Sequence, residues 1–195
     1  MKIKNLLTLF KHRKNVSQLL ESFLIRLNGT VEFGSLTKDE TDGIVNWIRE
    51  LQAQKTNLSV LEVGTLFGMT TRELANRTTA HILTVDNFSW NPFGLDPLTH
   101  EAFTRCLLRT SKVEIINSDS VEYLSQATDI DAVFLDGDHR YETVKRELEI
   151  LKEKGIKYLS GHDWGNESFG VTAAVQDVIG NPDNVIGRCW FKTLL

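Results

Sequence analysis

Ser59-Val60-Leu61-Glu62-Val63-Gly64-Thr65-Leu66-Phe67-Gly68-Met69-Thr70-Thr71 reads as a strand running into a glycine turn and then a helix. The apolar run is short and ends at an acid. Glycine lets the backbone turn sharply and come close to a ligand. The threonines open a helix whose first N–H groups lack partners within it, a setting suited to a carboxylate or phosphate. The spacing is not G-x-G-x-x-G, because Thr65 and Leu66 follow the first glycine, so a dinucleotide pyrophosphate is disfavoured. A purely structural strand-to-helix turn would use the same glycines.

Outward from this stretch the pattern repeats. His81–Asp86, Ala132–Asp136 (running into Gly137-Asp138-His139) and Ile156–Gly161 (running into His162-Asp163) are further short apolar runs with polar groups at their ends. Strands are expected at 59–63, 81–86, 112–117, 131–136, 156–161 and 184–194. Helices are expected between them at 69–77, 97–109, 119–127, 140–154 and 170–180. Near-continuous apolar strands suit a parallel sheet covered on both faces. The fold class is therefore α/β, a Rossmann-like doubly wound, mostly parallel sheet, preceded by N-terminal helices. Such sheets bind ligands along the C-terminal edge of their strands. Residues 15–28 have helical spacing, and Thr37-x-x-Glu40 is a capping box for a second helix with Ile44, Trp47, Ile48 and Leu51 on one stripe.

Length and composition set bounds. The chain has 195 residues and a net charge of -4, with 41% hydrophobic and 25% charged residues. That suits one soluble domain, read as 36–195, after an N-terminal helical segment, 1–35. The acidic balance gives no reason to expect a nucleic-acid partner. Lys2, Lys4, Lys11, Arg13 and Lys14 surround Leu6, Leu7, Leu9 and Phe10, a stretch too short for a transmembrane span or a signal peptide. It reads as a docking helix or a weak peripheral anchor for an anionic surface. Cys106 and Cys189 are far apart with no metal or redox spacing, so a cytoplasmic location is the expectation.

The strand ends supply the candidate residues. Asp86 can offer a ribose two carboxylate oxygens, or cap a turn; Asn87 follows it. Asp119 or Ser120 caps the next helix, or borders an adenine. The loop Phe88–Pro97, with Trp90 and Phe93, is either a substrate lid or local packing. Asp136, Asp138, His139, His162 and Asp163 gather three carboxylates and two imidazoles at one edge. Such a set suits Mg²⁺ or another divalent metal, and His139 stands where a general base would. The bland alternative is that Asp138 and His139 cap the following helix.

Taken in order, these blocks resemble the class I S-adenosylmethionine-dependent methyltransferases. More narrowly they resemble a small O-methyltransferase-like group. Residues 60–71 are similar to its first motif. Leu135-Asp136-Gly137-Asp138-His139-Arg140-Tyr141-Glu142, with Val144, Glu147 and Leu148, matches its LDGDH block. His162-Asp163 and Gly170-Val171 through Val175 follow in the expected places. The resemblance implies S-adenosylmethionine as cofactor and methylation of a small-molecule or sugar hydroxyl. It implies that Glu62, Gly64, Thr65, Gly68, Thr70 and Thr71 shape the methionine and ribose pocket. Asp86 and Asn87 would hold the ribose, and Asp119 and Ser120 the adenine. Asp136 would lie by the methionine end and, with His139, carry catalysis. Metal-dependent relatives imply Asp136, His162 and Asp163 as ligands.

The alternatives are a metal-dependent hydrolase, a nicotinamide-dependent oxidoreductase and a non-catalytic nucleoside-binding module. One departure stands out. Residues 184–194 read as a single last strand, where the family ends in an antiparallel pair, unless Gly187 splits them. A missing strand would leave an open edge that invites a homodimer.

Overall fold

The computed structural model describes residues 36–92, 94–109 and 112–194. The basic N-terminal segment and the helix expected at 15–28 lie outside the described residues. The elements run α1 (Lys38–Gln52), β1 (Ser59–Val63), α2 (Met69–Arg77), β2 (His81–Asp86), α3 (Pro97–Leu107), β3 (Val113–Asn117), α4 (Ser120–Gln126), β4 (Ala132–Leu135), α5 (Tyr141–Glu153), β5 (Tyr158–Gly161), α6 (Val171–Ile179), β6 (Asn184–Ile186) and β7 (Cys189–Thr193).

The strands form one sheet in the order β3-β2-β1-β4-β5-β7-β6. All pairs are parallel except β5 with β7 and β6 with β7. The order reverses between β1 and β4, so loops leave this point toward opposite sides and open a crevice over it. Alternation along the strands divides the core between two faces. Leu61, Val63, Val133, Leu135 and Leu159 meet Val144, Leu148, Leu151 and Val175 on one side. Val60, Ile82, Ala132 and Phe134 meet Ile44, Ile48, Leu51 and Leu74 on the other.

The last segment corrects the single-strand expectation. Gly187 takes φ 60°, and with Arg188 it turns the chain so that β6 pairs back on β7, Ile186 opposite Cys189. A two-residue turn with positive φ is a favoured hairpin connection. The antiparallel pair is therefore complete, and β3 and β6 are the sheet edges. Cys106 and Cys189 are free thiols. Among the described residues no helix is long and apolar enough to cross a membrane.

The capping box forms as its spacing predicts. Glu40 N–H donates to Thr37 Oγ1 (3.2 Å), and Glu40 Oε2 accepts from Thr37 N (2.8 Å). Glu40 does more than cap. Its Oε1 accepts Arg188 N–H (2.8 Å) from the final turn. Glu40→Gln replaces one acceptor oxygen by a donor and should cost about 1–2 kcal/mol in urea unfolding; unchanged stability would show that the long-range bond carries nothing.

Candidate active site

The cleft over the reversal point has a volume of about 1010 Å³. Its walls come from the turn after β1, the loops after β2, β3, β4 and β5, and the β6–β7 turn.

The glycine turn is built from inside the sheet. Glu62 is buried and accepts hydrogen bonds from the hydroxyls of Thr71 and Thr84, the latter at 3.0 Å. Thr84 has one proton and gives it to Glu62, so the 2.6 Å contact between Thr65 and Thr84 has Thr65 as donor. The turn is thus tied to both β1 and β2. Gly64 takes φ 93° and Gly68 φ 72°. Of the four non-glycine residues with positive φ among those described, the three besides Asp129 are Leu66, Phe88 and Asp163, at 47°, 55° and 60°. Such residues cost about 1–3 kcal/mol each and cluster at functional sites. All three lie at the C-terminal edge of the sheet. His100, from α3, is fully buried between two of them, with Nε2 2.7 Å from Leu66 O and Nδ1 3.2 Å from Phe88 O.

Asp86 is committed to this turn. One oxygen accepts Thr65 N–H (2.9 Å) and Leu66 N–H (2.8 Å), and the other accepts Phe88 N–H (2.7 Å). A carboxylate offers about four acceptor positions, so one remains. In the following loop Asn91 and Leu95 bind each other through both amide atoms (2.9 Å each). That pins the loop, while Trp90 stays 67% exposed at the cleft rim. Asp119 caps α4 by accepting Glu122 N–H (3.1 Å). Ser120 gives its hydroxyl to Glu147.

The far half of the cleft is charged. Asp136, His139 and Asp163 place ligand atoms within 4.8 Å of one another. His139 Nδ1 is 3.2 Å from Asp163 Oδ2, and its ring stacks on Phe169 with centroids 4.4 Å apart. His162 Nδ1 lies 3.5 Å from both Asp136 and Asp163, and its Nε2 lies 3.4 Å from Glu40. Burial alone would lower the His162 pKa. The carboxylates of Asp136 and Asp163 outweigh it and raise the imidazole to about 10. Burial pushes Asp136 up against the opposing pull of His162, and the His162 imidazole has three carboxylates around it. Asp163 is also raised by burial, but His162 and Asn166 overcome this and hold it below the usual range.

Asp138 turns to the helix entrance, accepting from Arg140 N (2.9 Å), its guanidinium and Thr143 Oγ1 (2.9 Å). Burial would raise its pKa; the Arg140 bonds lower it on balance. Arg140, not His139, is the N-cap residue of α5.

Of the residues singled out in the sequence, Glu62, Gly64, Thr65, Thr70, Asp86, Asn87, Asp119, Ser120, Asp136, His139, His162 and Asp163 all line the cleft. Gly68 and Thr71 do not; they stand behind its wall, Thr71 fully buried against Glu62. Asn166, Phe169 and Arg188 line it without having been foreseen. Arg188 was hidden in the segment read as one strand, although Gly187 was the available hairpin signal.

Residues 61–156 match a family model described as a methyltransferase domain. No curated protein matches the sequence. Among solved structures, the bifunctional kinase-methyltransferase WbdD is similar at 16% identity and TM-score 0.62, over 87% of this chain and 42% of its own. A putative caffeoyl-CoA O-methyltransferase from Staphylococcus aureus is similar at 19% identity and TM-score 0.53, over 90% of this chain and 85% of its own. An O-methyltransferase from Bacillus cereus is similar at 14% identity and TM-score 0.55, over 83% and 76%. At these identities the likeness is one of fold, and the chain spans less than half the length of WbdD. The family match sets aside the hydrolase and nicotinamide readings. A match that begins inside β1 and runs through α5, on a sheet wound in this order, shows that this chain carries a methyltransferase domain on a Rossmann-like sheet.

Proposed function

We propose that residues 36–195 are the working unit and methylate an oxygen of a small molecule or sugar. The observation that carries this reading is the division of the cleft into two chemically different halves. The half over β1, β2 and β3 is a glycine turn with fixed polar groups. The half over β4 and β5 holds three carboxylates, of which Asp138 turns to the helix entrance, and two imidazoles.

In this reading the first half takes S-adenosylmethionine. Glu62, Gly64, Thr65 and Thr70 shape the methionine and ribose side, with Gly68 and Thr71 supporting from behind. Asp86 gives its remaining acceptor position to a ribose hydroxyl, next to Asn87. Asp119 and Ser120 border the adenine. The sulfonium supplies an activated methyl group for in-line displacement. The chain then has to orient the acceptor, exclude water and take a proton. His139 is the base: Asp163 holds its Nδ1 and Phe169 its ring face, which leaves Nε2 for the acceptor hydroxyl. Asp136 borders both halves.

A divalent ion fits the same corner by donor chemistry. Asp136, His139 and Asp163 offer two hard oxygens and an imidazole. His162 lies 3.5 Å from Asp136 and Asp163 but falls outside that group of converging ligand atoms. Such an ion would lower the pKa of an acceptor hydroxyl. A homodimer would pair through the open edge of β3 or β6.

Calorimetric titration with S-adenosylmethionine, using NAD as control and Mg²⁺ and EDTA arms, tests the reading. We expect binding of S-adenosylmethionine and not of NAD; folded protein that ignores S-adenosylmethionine overturns it. Once an acceptor is found, His139→Ala should lower turnover by about 10²–10⁴-fold, while affinity for S-adenosylhomocysteine changes by less than about threefold. Joint loss of both would make His139 a structural residue.

A further inference from the structure

Glu147 is a buried acid with no ion-pair partner among the described residues. It sits on the inner face of α5 and is 1% exposed. Among the described residues its carboxyl makes one side-chain hydrogen bond, accepting from Ser120 Oγ at 2.5 Å. The groups facing it are otherwise acids: Asp119 from the turn before α4 and Asp138 from the loop after β4. Asp138 is already paired with Arg140. The other helix against α5 is α6, whose one titratable residue is Asp177, and this accepts from the Tyr141 hydroxyl (2.7 Å).

Burying a carboxyl without a counter-charge is unfavourable. An aliphatic side chain would fill the place without that penalty. What the acid supplies is a hold on Ser120. Ser120 lines the cleft, yet its hydroxyl is spent on Glu147 rather than offered to a ligand. Asp119, the residue before it, uses its own side chain to cap α4. The turn is therefore fixed from two directions, along α4 by Asp119 and across to α5 by Glu147.

We propose that Glu147 is a positioning residue for the cofactor cleft: through Ser120 it fixes the turn Ser118–Ser120, against which the adenine end of S-adenosylmethionine rests. The assignment rests on the reading of the cleft given above. A carboxylate accepts a hydrogen bond more strongly than a neutral acid does. The turn is accordingly held more firmly once Glu147 ionises. Burial, opposed only in part by the Ser120 bond, moves that ionisation up to about 7, so cofactor affinity should fall as the pH drops below neutrality.

The test is calorimetric titration of the full chain with S-adenosylhomocysteine, for the unmodified protein, Glu147→Gln and Ser120→Ala. The unmodified protein should bind about threefold to tenfold more weakly near pH 6 than near pH 8. Both variants should bind at both pH values about as weakly as the unmodified protein does near pH 6, with no step between. A variant that keeps the original affinity and the original step overturns the proposal, as does strong binding by the unmodified protein with no pH dependence. Ser120→Ala decides the matter if Glu147→Gln fails to fold. If the folded, unmodified protein binds no S-adenosylhomocysteine at either pH, the reading of the cleft itself fails, and the proposal with it.

Discussion

Gly64→Ala should abolish S-adenosylhomocysteine binding and lower the melting temperature by roughly 5–20 °C, equivalent to about 2–5 kcal/mol at this size. A Cβ at this position would lie 2.2 Å from the carbonyl oxygen of Asp136, 2.6 Å from its carbonyl carbon and 2.7 Å from Gly137 Cα. These are backbone atoms of the neighbouring strand end and cannot rotate away. The φ of 93° adds a second penalty, on the order of 1–2 kcal/mol for an L-residue in this region. Overpacking contributes roughly 1–3 kcal/mol more. Relief requires β1 and β4 to part at their C-terminal ends, which moves Asp136 and loosens the backbone N–H groups of Thr65 and Leu66 from Asp86. Gly165→Ala is the control, since Gly165 also has positive φ, at 73°, but a Cβ there meets nothing within 4 Å. Equal losses in the two variants would mean that backbone conformation alone, and not the close approach of two strand ends, governs the site.

Glu147→Gln should stabilise the protein near pH 8 by roughly 2–3 kcal/mol and leave stability near pH 4 almost unchanged. The carboxyl has its ordinary value of 4.5 in the unfolded chain and is raised to about 7 in the fold, chiefly by burial. Between these values the folded state holds a proton that the unfolded state has lost. Stability is therefore fully present below about 4.5, falls as the pH rises, and stays reduced above about 7. Glutamine keeps an oxygen for the Ser120 hydroxyl and cannot ionise. Urea unfolding of both proteins at several pH values reads the difference directly. A gain of the same size at low and high pH would refute burial of a charge as its origin. Higher stability together with weaker cofactor binding is the combined signature that separates a positioning role from a packing role.

The sheet was legible because its signals are local. Short apolar runs, glycines and capping residues lie within a few positions of the bonds they make. The capping box at Thr37 and Glu40 and the glycine turn at 64–68 needed no tertiary information. The cleft lining was legible for a related reason: in a parallel sheet the residues just after each strand all arrive at one edge. What remained hidden depends on distant parts of the chain. The second oxygen of Glu40 reaches Arg188, 148 positions away, and no spacing rule connects them. His100 is an ordinary helix residue in sequence, and only the fold places it between two carbonyls of positive-φ residues. Glu147 matched a motif, but its burial beside Ser120 depends on how α4 lies against α5. His162 and His139 looked interchangeable as candidate ligands. The fold separates them by giving His162 three carboxylate neighbours and His139 an aromatic face.

The bond from Glu40 to Arg188 also sets a timetable. α1 leaves the ribosome well before the β6–β7 turn, so the contact closes only after the strands between them have been synthesised. Until then Glu40, Asp136, Asp163 and His162 lie together without the turn that completes their surroundings, and contacts so distant in sequence form late because the intervening loop must first be ordered. Pulse-labelled hydrogen exchange during refolding should accordingly find the Arg188 amide protected after those of β1 and β2; simultaneous protection would contradict this order. Competence would then arrive late in folding, when the β6–β7 turn docks, after the parallel strands β1 to β5 have already formed.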